Sequence, residues 1–352
     1  MPIALRTRLI TLTLPALCAA TLTAQTVTIG TATAARGQTG YGAITVPAGA
    51  DSGTTIPVAI VNGARPGPTV ALVAGSHGTE YASIVALQRL IGMLDPKTLS
   101  GTVIATPLVN LPSFRQMIVH LNPVDNKGLN RLYPGNPNGT QTERALALMA
   151  ELVVKPASVI IDLHGGDLDE DLRPYTYWFR GGKAPIDSAS KQLALAFGLD
   201  HIIVVDADLT TPAGRGTLSG HAVATDKVTV VAEAGRTGTV MAEDVDLLIN
   251  GLLNVLGAMK MIERTVTPVA NPVWLDGGTR VAGEGDAVFF PLVARGSYVN
   301  QGMTVGRLTD LLGRPLGDVK APATGVVTFI RGVPSVWKGA ALISVSRVLT
   351  RP

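Results

Sequence analysis

From about residue 69 the chain alternates short continuous apolar runs with longer segments whose apolar residues recur at helical spacing. TVALVAG (69–75) predicts a strand, and 81–94 predicts an amphipathic helix closed by Asp95-Pro96. TVIATPLVN (102–110) predicts the next strand. The stretch 111–139, with Pro, Asn and Gly throughout, predicts a long irregular connection. A helix over 140–154 contains RALALMAELV and opens on a capping box, Thr140 with Glu143. ASVIIDLHGG predicts a strand over 157–164, and 187–197 a helix stopped by Gly198. HIIVVDAD and DKVTVVAEAG predict two more strands, and 242–263 a long helix. Ahead of this region, 27–61 holds Thr- and Val-rich alternating segments broken by Gly and Pro, which read as strands. After VTPVANP (266–272) the pattern shifts to short β segments with Gly turns and no helix.

Apolar runs flanked on both sides by helices imply an α/β fold. The expected core is a mostly parallel or mixed, doubly wound sheet covered on both faces, with a small all-β unit at 266–352. In such sheets ligands sit beyond the carboxyl ends of the strands. His77 with Glu80, Asn110, His164, Asp206 and Glu233 each fall at or just past a predicted strand end. All of them are therefore expected to converge on one cleft.

Composition changes the picture little. Of the 352 residues, 46% are hydrophobic and 16% charged, so the chain reads as globular, and a formal charge of +3 without a basic–aromatic stripe argues against nucleic acid as partner. The opening MPIALRTRLITLTLPALCAATLTAQTVT resembles an export signal: Arg6 and Arg8, an apolar Leu9–Leu17 core, then small residues. Cleavage after Ala24 gives an exported chain, periplasmic or extracellular, with no membrane span. Attachment as a lipoprotein through Cys18 is the alternative, against which the bulky Leu17 argues. Cleavage removes Cys18, so any metal site of the mature chain must use His and carboxylate ligands.

His77 and Glu80 stand three residues apart at a strand–helix junction, where Gly75 and Gly78 permit a tight turn. A lone pair of this kind is commonly structural. Zinc, however, accepts imidazole nitrogen and carboxylate oxygen, and a catalytic site needs three protein ligands with one position open. His164, at another strand end, fits as the third. Asp162 lies two residues upstream on the same strand face and is suited to orienting a ligand. The plain alternative is an Asp162–His164 hydrogen-bonded core pair. Metal-assisted hydrolysis also needs a base, and Glu233 after VTVVA is the leading candidate.

GSHGTE (75–80), GLNRLYPG (128–135), DLHGG (162–166) and EAGR (233–236) together resemble the succinylglutamate desuccinylase/aspartoacylase family, a branch of the zinc carboxypeptidase superfamily, over roughly residues 40–265. The resemblance implies one zinc ion on His77, Glu80 and His164, with Glu233 as general base and acid. It implies also that Asn130 and Arg131 grip a substrate carboxylate, a role that suits the planar guanidinium. Two departures stand out. Gly128 replaces an acidic residue before LNR, and His120 stands where the family carries the arginine that polarises the scissile carbonyl. His120, Arg115, Arg180 and Arg236 are the candidates for that role.

The C-terminal segment resembles a biotinyl/lipoyl-type domain. Its expected hairpin tip, DLLGRPLG (310–317), has no lysine, which predicts no lipoylation or biotinylation. Packing, oligomerisation or covering the active-site rim are its expected roles, and a homo-oligomer stays open. The organisation implied is a signal peptide at 1–24, a zinc hydrolase domain at 25–265 and a β domain at 266–352. The activity implied is deacylation of a small carboxylate-bearing N-acyl amino acid. A metallocarboxypeptidase acting on peptides is the alternative. A third reading is an inactive binding protein of the same fold, against which the complete set of ligands and base argues.

Overall fold

The computed structural model describes residues 25–350 and Pro352. The segment expected to be an export signal, residues 1–24 with Cys18, lies outside the described residues. Strands β1 (Val27–Ile29) and β2 (Ala32–Ala34) form a hairpin, and β3 (Gln38–Val46) and β4 (Thr54–Asn62) pair antiparallel along their whole length. Next come β5 (Arg65–Ala74), α1 (Tyr81–Met93), β6 (Ser100–Thr106), α2 (Leu111–Gln116) and α3 (Gln141–Met149). They are followed by β7 (Val159–His164), β8 (Glu170–Leu172), β9 (Tyr175–Arg180), α4 (Ala184–Phe197) and β10 (His201–Asp206). Helices α5 (Pro212–Gly216) and α6 (Leu218–Ala224), strand β11 (Val228–Glu233), helix α7 (Ala242–Ala258) and strand β12 (Val273–Leu275) complete this part.

Nine of these strands form one mixed sheet in the order β12-β10-β9-β11-β7-β5-β6-β4-β3. Alternation along the strands feeds two cores. Val70, Leu72 and Ala74 of β5 face α1, α4 and α7, whereas Ala71 and Val73 face the side covered by α3, α6 and β1–β2. The predicted helix 140–154 ends as α3 and continues as a π-helical turn, Ala150–Val154. Glu143 accepts a hydrogen bond from the Thr140 amide at 2.9 Å, and the expected capping box closes the helix start. The predicted irregular stretch 111–139 contains α2, capped by Asn110, and a 3₁₀ turn at Leu129–Arg131, both too short to leave a periodic signal. No helix among the described residues is long and apolar enough to cross a membrane.

Register places the chemistry. β5, β7 and β11 run parallel, with Ala74 opposite Leu163 and His164 opposite Glu233, so these three carboxyl ends share one edge. Strand β9, which the pattern did not predict, runs antiparallel to β11 and parallel to β10. That reversal corrects the expectation for Asp206. The carboxyl end of β10 lies at the opposite edge of the sheet, where Asp206 pairs with Arg180 at 2.7 Å.

Beyond β12 the chain enters two small antiparallel sheets. One holds β13 (Thr279–Ala282), β15 (Tyr298–Val299), β18 (Gly325–Arg331) and β20 (Ala341–Ser346), and β8 joins it by pairing with β18. The other holds β14 (Ala287–Pro291), β16 (Thr304–Thr309), β17 (Pro315–Lys320) and β19 (Ser335–Val336). Phe289, Val305, Val327 and Ile343 pack in the core between them. The β16–β17 hairpin turns through Asp310–Arg314, within the segment expected from the sequence.

Candidate active site

The junction after β5 is built on two glycines. Gly75 takes a left-handed φ of +65°, and a Cβ on Gly78 would lie 2.3 Å from the Phe114 amide nitrogen of α2. This close approach leaves His77 and Glu80 at the sheet edge where β7 and β11 end. Glu80 is 2% exposed, and its two oxygens reach one imidazole each: His77 Nδ1 lies 2.6 Å from Oε1 and His164 Nδ1 2.9 Å from Oε2. The three residues offer ligand atoms all within 4.8 Å of one another. Burial favours protonation of Glu80, but the charges and hydrogen bonds of the two histidines override it and hold the carboxyl well below the usual range.

Behind this trio sits Asp162. Its Oδ2 is 3.2 Å from His164 Nε2 without hydrogen-bond alignment, and neither of its buried oxygens has a hydrogen-bond donor. Burial disfavours a charged His164, yet Asp162 and Glu80 raise its proton affinity well above normal. A potential that draws a proton this strongly draws a metal cation too. Two imidazole nitrogens and a carboxylate oxygen, backed by an unsatisfied carboxylate, fit a divalent ion of borderline softness.

Glu233 completes the group. Burial, and then the nearby Glu80, Glu170 and Asp162 carboxylates, push its pKa well above the usual value against the pull of His164. It lines a cavity of about 380 Å³ together with His77, Glu80, His120, Arg131 and Glu170. A larger cavity of about 810 Å³, beside α3 and α6, is mostly apolar and lacks such a cluster.

His120 belongs to the site. Its backbone is left-handed, φ +59°, and its amide donates to Asp167 Oδ2 at 3.2 Å. Its Nε2 lies 3.3 Å from Glu170 Oε1, and its ring meets His77 edge-on at 5.0 Å. Burial opposes charge on this imidazole, but Glu170, Asp167 and Glu80 raise its pKa to about 9. His120, Asp167 and Glu80 also offer ligand atoms within 4.8 Å of one another, but the imidazole is already engaged by Glu170 and Asp167.

Several expected residues lie elsewhere. Asn110 caps α2, its Oδ1 accepting from the Ser113 amide at 3.2 Å, and does not face the cavity. Asn130 also turns inward. Its Oδ1 accepts from the Leu218 amide at 2.7 Å, which orients Nδ2 toward His164 Nε2 at 3.0 Å, so its amide steadies the histidine and leaves Arg131 alone at the cavity wall. Arg115, on α2, lines a separate recess with Ser52 and Val124. Arg180 is held by Asp206 at the far edge, and Arg236 by Asp244 at 2.9 Å. Among the four candidates for carbonyl polarisation, only His120 lines the cavity.

Other lining residues went unforeseen. Tyr175 and Tyr177 sit on the unpredicted β9, and Glu170 on β8. Leu172, Arg280 and Phe329 come together only through the pairing of β8 with the C-terminal sheet. The acidic run DLDED after His164 is the one sequence signal that marked any of them.

A mixed α/β sheet with an imidazole–carboxylate cluster and a glutamate of raised proton affinity at one edge suits acid–base and hydrolytic chemistry. The chain belongs to the succinylglutamate desuccinylase/aspartoacylase family, whose catalytic-domain model matches residues 66–259. It is 29% identical over 309 residues to an N-alpha-acetyl-L-2,4-diaminobutyric acid deacetylase of Halomonas elongata, covering 84% of this chain and 86% of the relative. A succinylglutamate desuccinylase/aspartoacylase from Rhodobacter sphaeroides superposes with a TM-score of 0.78 at 26% identity, over 89% of this chain and 96% of that one. The ectoine utilization protein EutE (DoeB) of Ruegeria pomeroyi, in a product-bound structure, shares the fold with a TM-score of 0.80 at 24% identity, over 88% and 95%.

Proposed function

We propose that this chain is an exported zinc hydrolase of the carboxypeptidase-type fold that cleaves the amide bond of a small, carboxylate-bearing N-acyl amino acid. His77, Glu80 and His164 would hold the zinc, and Glu233 serve as general base and acid. The observation that carries this reading is the pairing of Glu233 with His164 in register at one sheet edge, with Glu80 spanning both imidazoles. The deacetylase relative supports acylated amino acids as the substrate class over peptides. Bound zinc supplies a Lewis acid that polarises a carbonyl and lowers the pKa of water.

The chain's own groups divide the remaining work. Arg131 receives the substrate carboxylate through its guanidinium fork. Glu233 takes a proton from the water that attacks the acyl carbon and delivers it to the amine nitrogen as the C–N bond breaks. Its raised pKa suits a group that must both accept and return that proton. His120, whose protonated form Glu170 and Asp167 favour, would direct an N–H toward the carbonyl oxygen where negative charge develops. Asp162 adds negative charge behind the His164 ring, 3.2 Å from its Nε2.

Elemental analysis of protein never exposed to chelator should find one zinc per chain, and a screen should find turnover of N-acyl amino acids. Absence of zinc, or cleavage confined to peptides, would overturn the reading. The export arm has its own check: mass spectrometry of protein from its native host should give an N-terminus at residue 25. An intact Met1 would refute that arm.

A further inference from the structure

We propose that Arg280, supplied by the C-terminal sheets, is a specificity-determining residue of the active site. It would read an anionic group at the end of the substrate remote from the one Arg131 receives. The inference rests on the deacylase reading above and assigns a task to the β domain.

The charges around the cavity point there. Glu80 is taken by His77 and His164, and Glu170 by His120. Arg173, Arg236, Arg295 and Arg331, arginines of the same region, are each paired with an aspartate. Two lining cations are left over. Among the described residues, Arg131 donates only to its neighbour's carbonyl, and the Arg280 guanidinium has only the Phe329 ring, 5.7 Å away. Neither has a carboxylate within salt-bridge distance among the described residues. Two such guanidiniums in one cavity ask for two anionic groups on the ligand.

Arg280 is also rigidly mounted. In register it stands opposite Ser344, Ser344 opposite Phe329, and Phe329 opposite Leu172. All four residues line the cavity. This cross-strand row runs from β13 to β8, the strand that carries Glu170. Backbone ladders, rather than a loop, therefore fix the distance from Arg280 to the catalytic groups, as a specificity contact requires.

The test compares substrate pairs that differ by one charge: N-succinyl against N-butyryl on one amino acid, and N-acetylaspartate against N-acetylasparagine. Wild type should prefer the charged member of at least one pair. Arg280→Ala should lower that kcat/KM ratio by about 10- to 100-fold, chiefly through KM, and Arg280→Lys should restore part of it. Arg280 is exposed, so both variants should fold. Ratios unchanged in both pairs would overturn the proposal. Should wild type hydrolyse none of the four, the deacylase reading is decided by the wider screen above, and calorimetry with succinate and butyrate decides the inference separately. A preference for succinate that vanishes in Arg280→Ala supports it. A preference that persists in that variant, or is absent from wild type, overturns it.

Discussion

Replacing Glu233 with Gln should lower kcat by about 10²- to 10⁴-fold while zinc content stays at the wild-type level. Gln keeps the size and hydrogen-bonding reach of the side chain but has no proton to exchange. Glu233 is not among the proposed ligands, so its loss should leave His77, Glu80 and His164 in place. The acid limb of the pH–rate profile should change too. In wild type, activity falls as pH drops and Glu233 binds a proton, whereas the residual rate of Glu233→Gln should lack that contribution.

Stability should move the other way. A carboxyl whose folded-state pKa is raised adds stability below its unfolded pKa, and that stability is lost as pH rises toward the folded value. Neutral pH lies above the unfolded value, so the wild type has by then lost part of it, and Glu233→Gln should melt no lower than wild type. Loss of turnover accompanied by loss of zinc, or turnover near the wild-type rate, would remove Glu233 from its assigned role.

Arg331→Met should destabilise the fold by about 3 kcal/mol, toward the lower end of what breaking a buried ion pair costs, because Asp169 keeps some solvent contact. Arg331 is 1% exposed. Its Nη1 lies 2.8 Å from Asp169 Oδ2, its Nε donates to the Ser335 carbonyl at 2.6 Å, and its guanidinium lies 4.5 Å from the centre of the Trp337 ring. Methionine fills most of the volume but strands the carboxylate. Asp169 stands between Asp167 and Glu170, the two groups that engage His120, so the variant should lose activity as well as stability. Urea titration of Arg331→Met, Asp169→Asn and the double variant would check this. The double variant should recover part of the loss, and strictly additive losses would mean the pair does not act as a unit.

The two cases differ in how far the sequence foretold them. Glu233 was legible because a carboxylate directly after a continuous apolar strand is costly unless it has a task. Arg331 looked like any arginine at a strand end. Its partner lies 162 positions away in sequence, and only the β8–β18 pairing brings them together. Asn130 and Asp206 illustrate the same limit. The motif containing Asn130 was visible, but the Leu218 amide that turns its side chain toward His164 was not. Asp206 sits at a strand end as expected, but the reversed direction of β9 and β10 carries that end to the wrong edge.

The sequence by itself determined the local alternation of buried strands and amphipathic helices, the glycine-bounded junction at 75–80, and the residues able to ligate a metal or move a proton. These depend on periodicity and side-chain chemistry, which are properties of short segments. Tertiary structure decided which strand ends face one another, how the Asn130 amide is used, and that His120 alone of four candidates reaches the cavity. It decided also that a wall of the site, with Arg280 on it, comes from the C-terminal sheets. Strand direction and pairing between distant segments are set by packing of the whole chain, and no short segment carries that information.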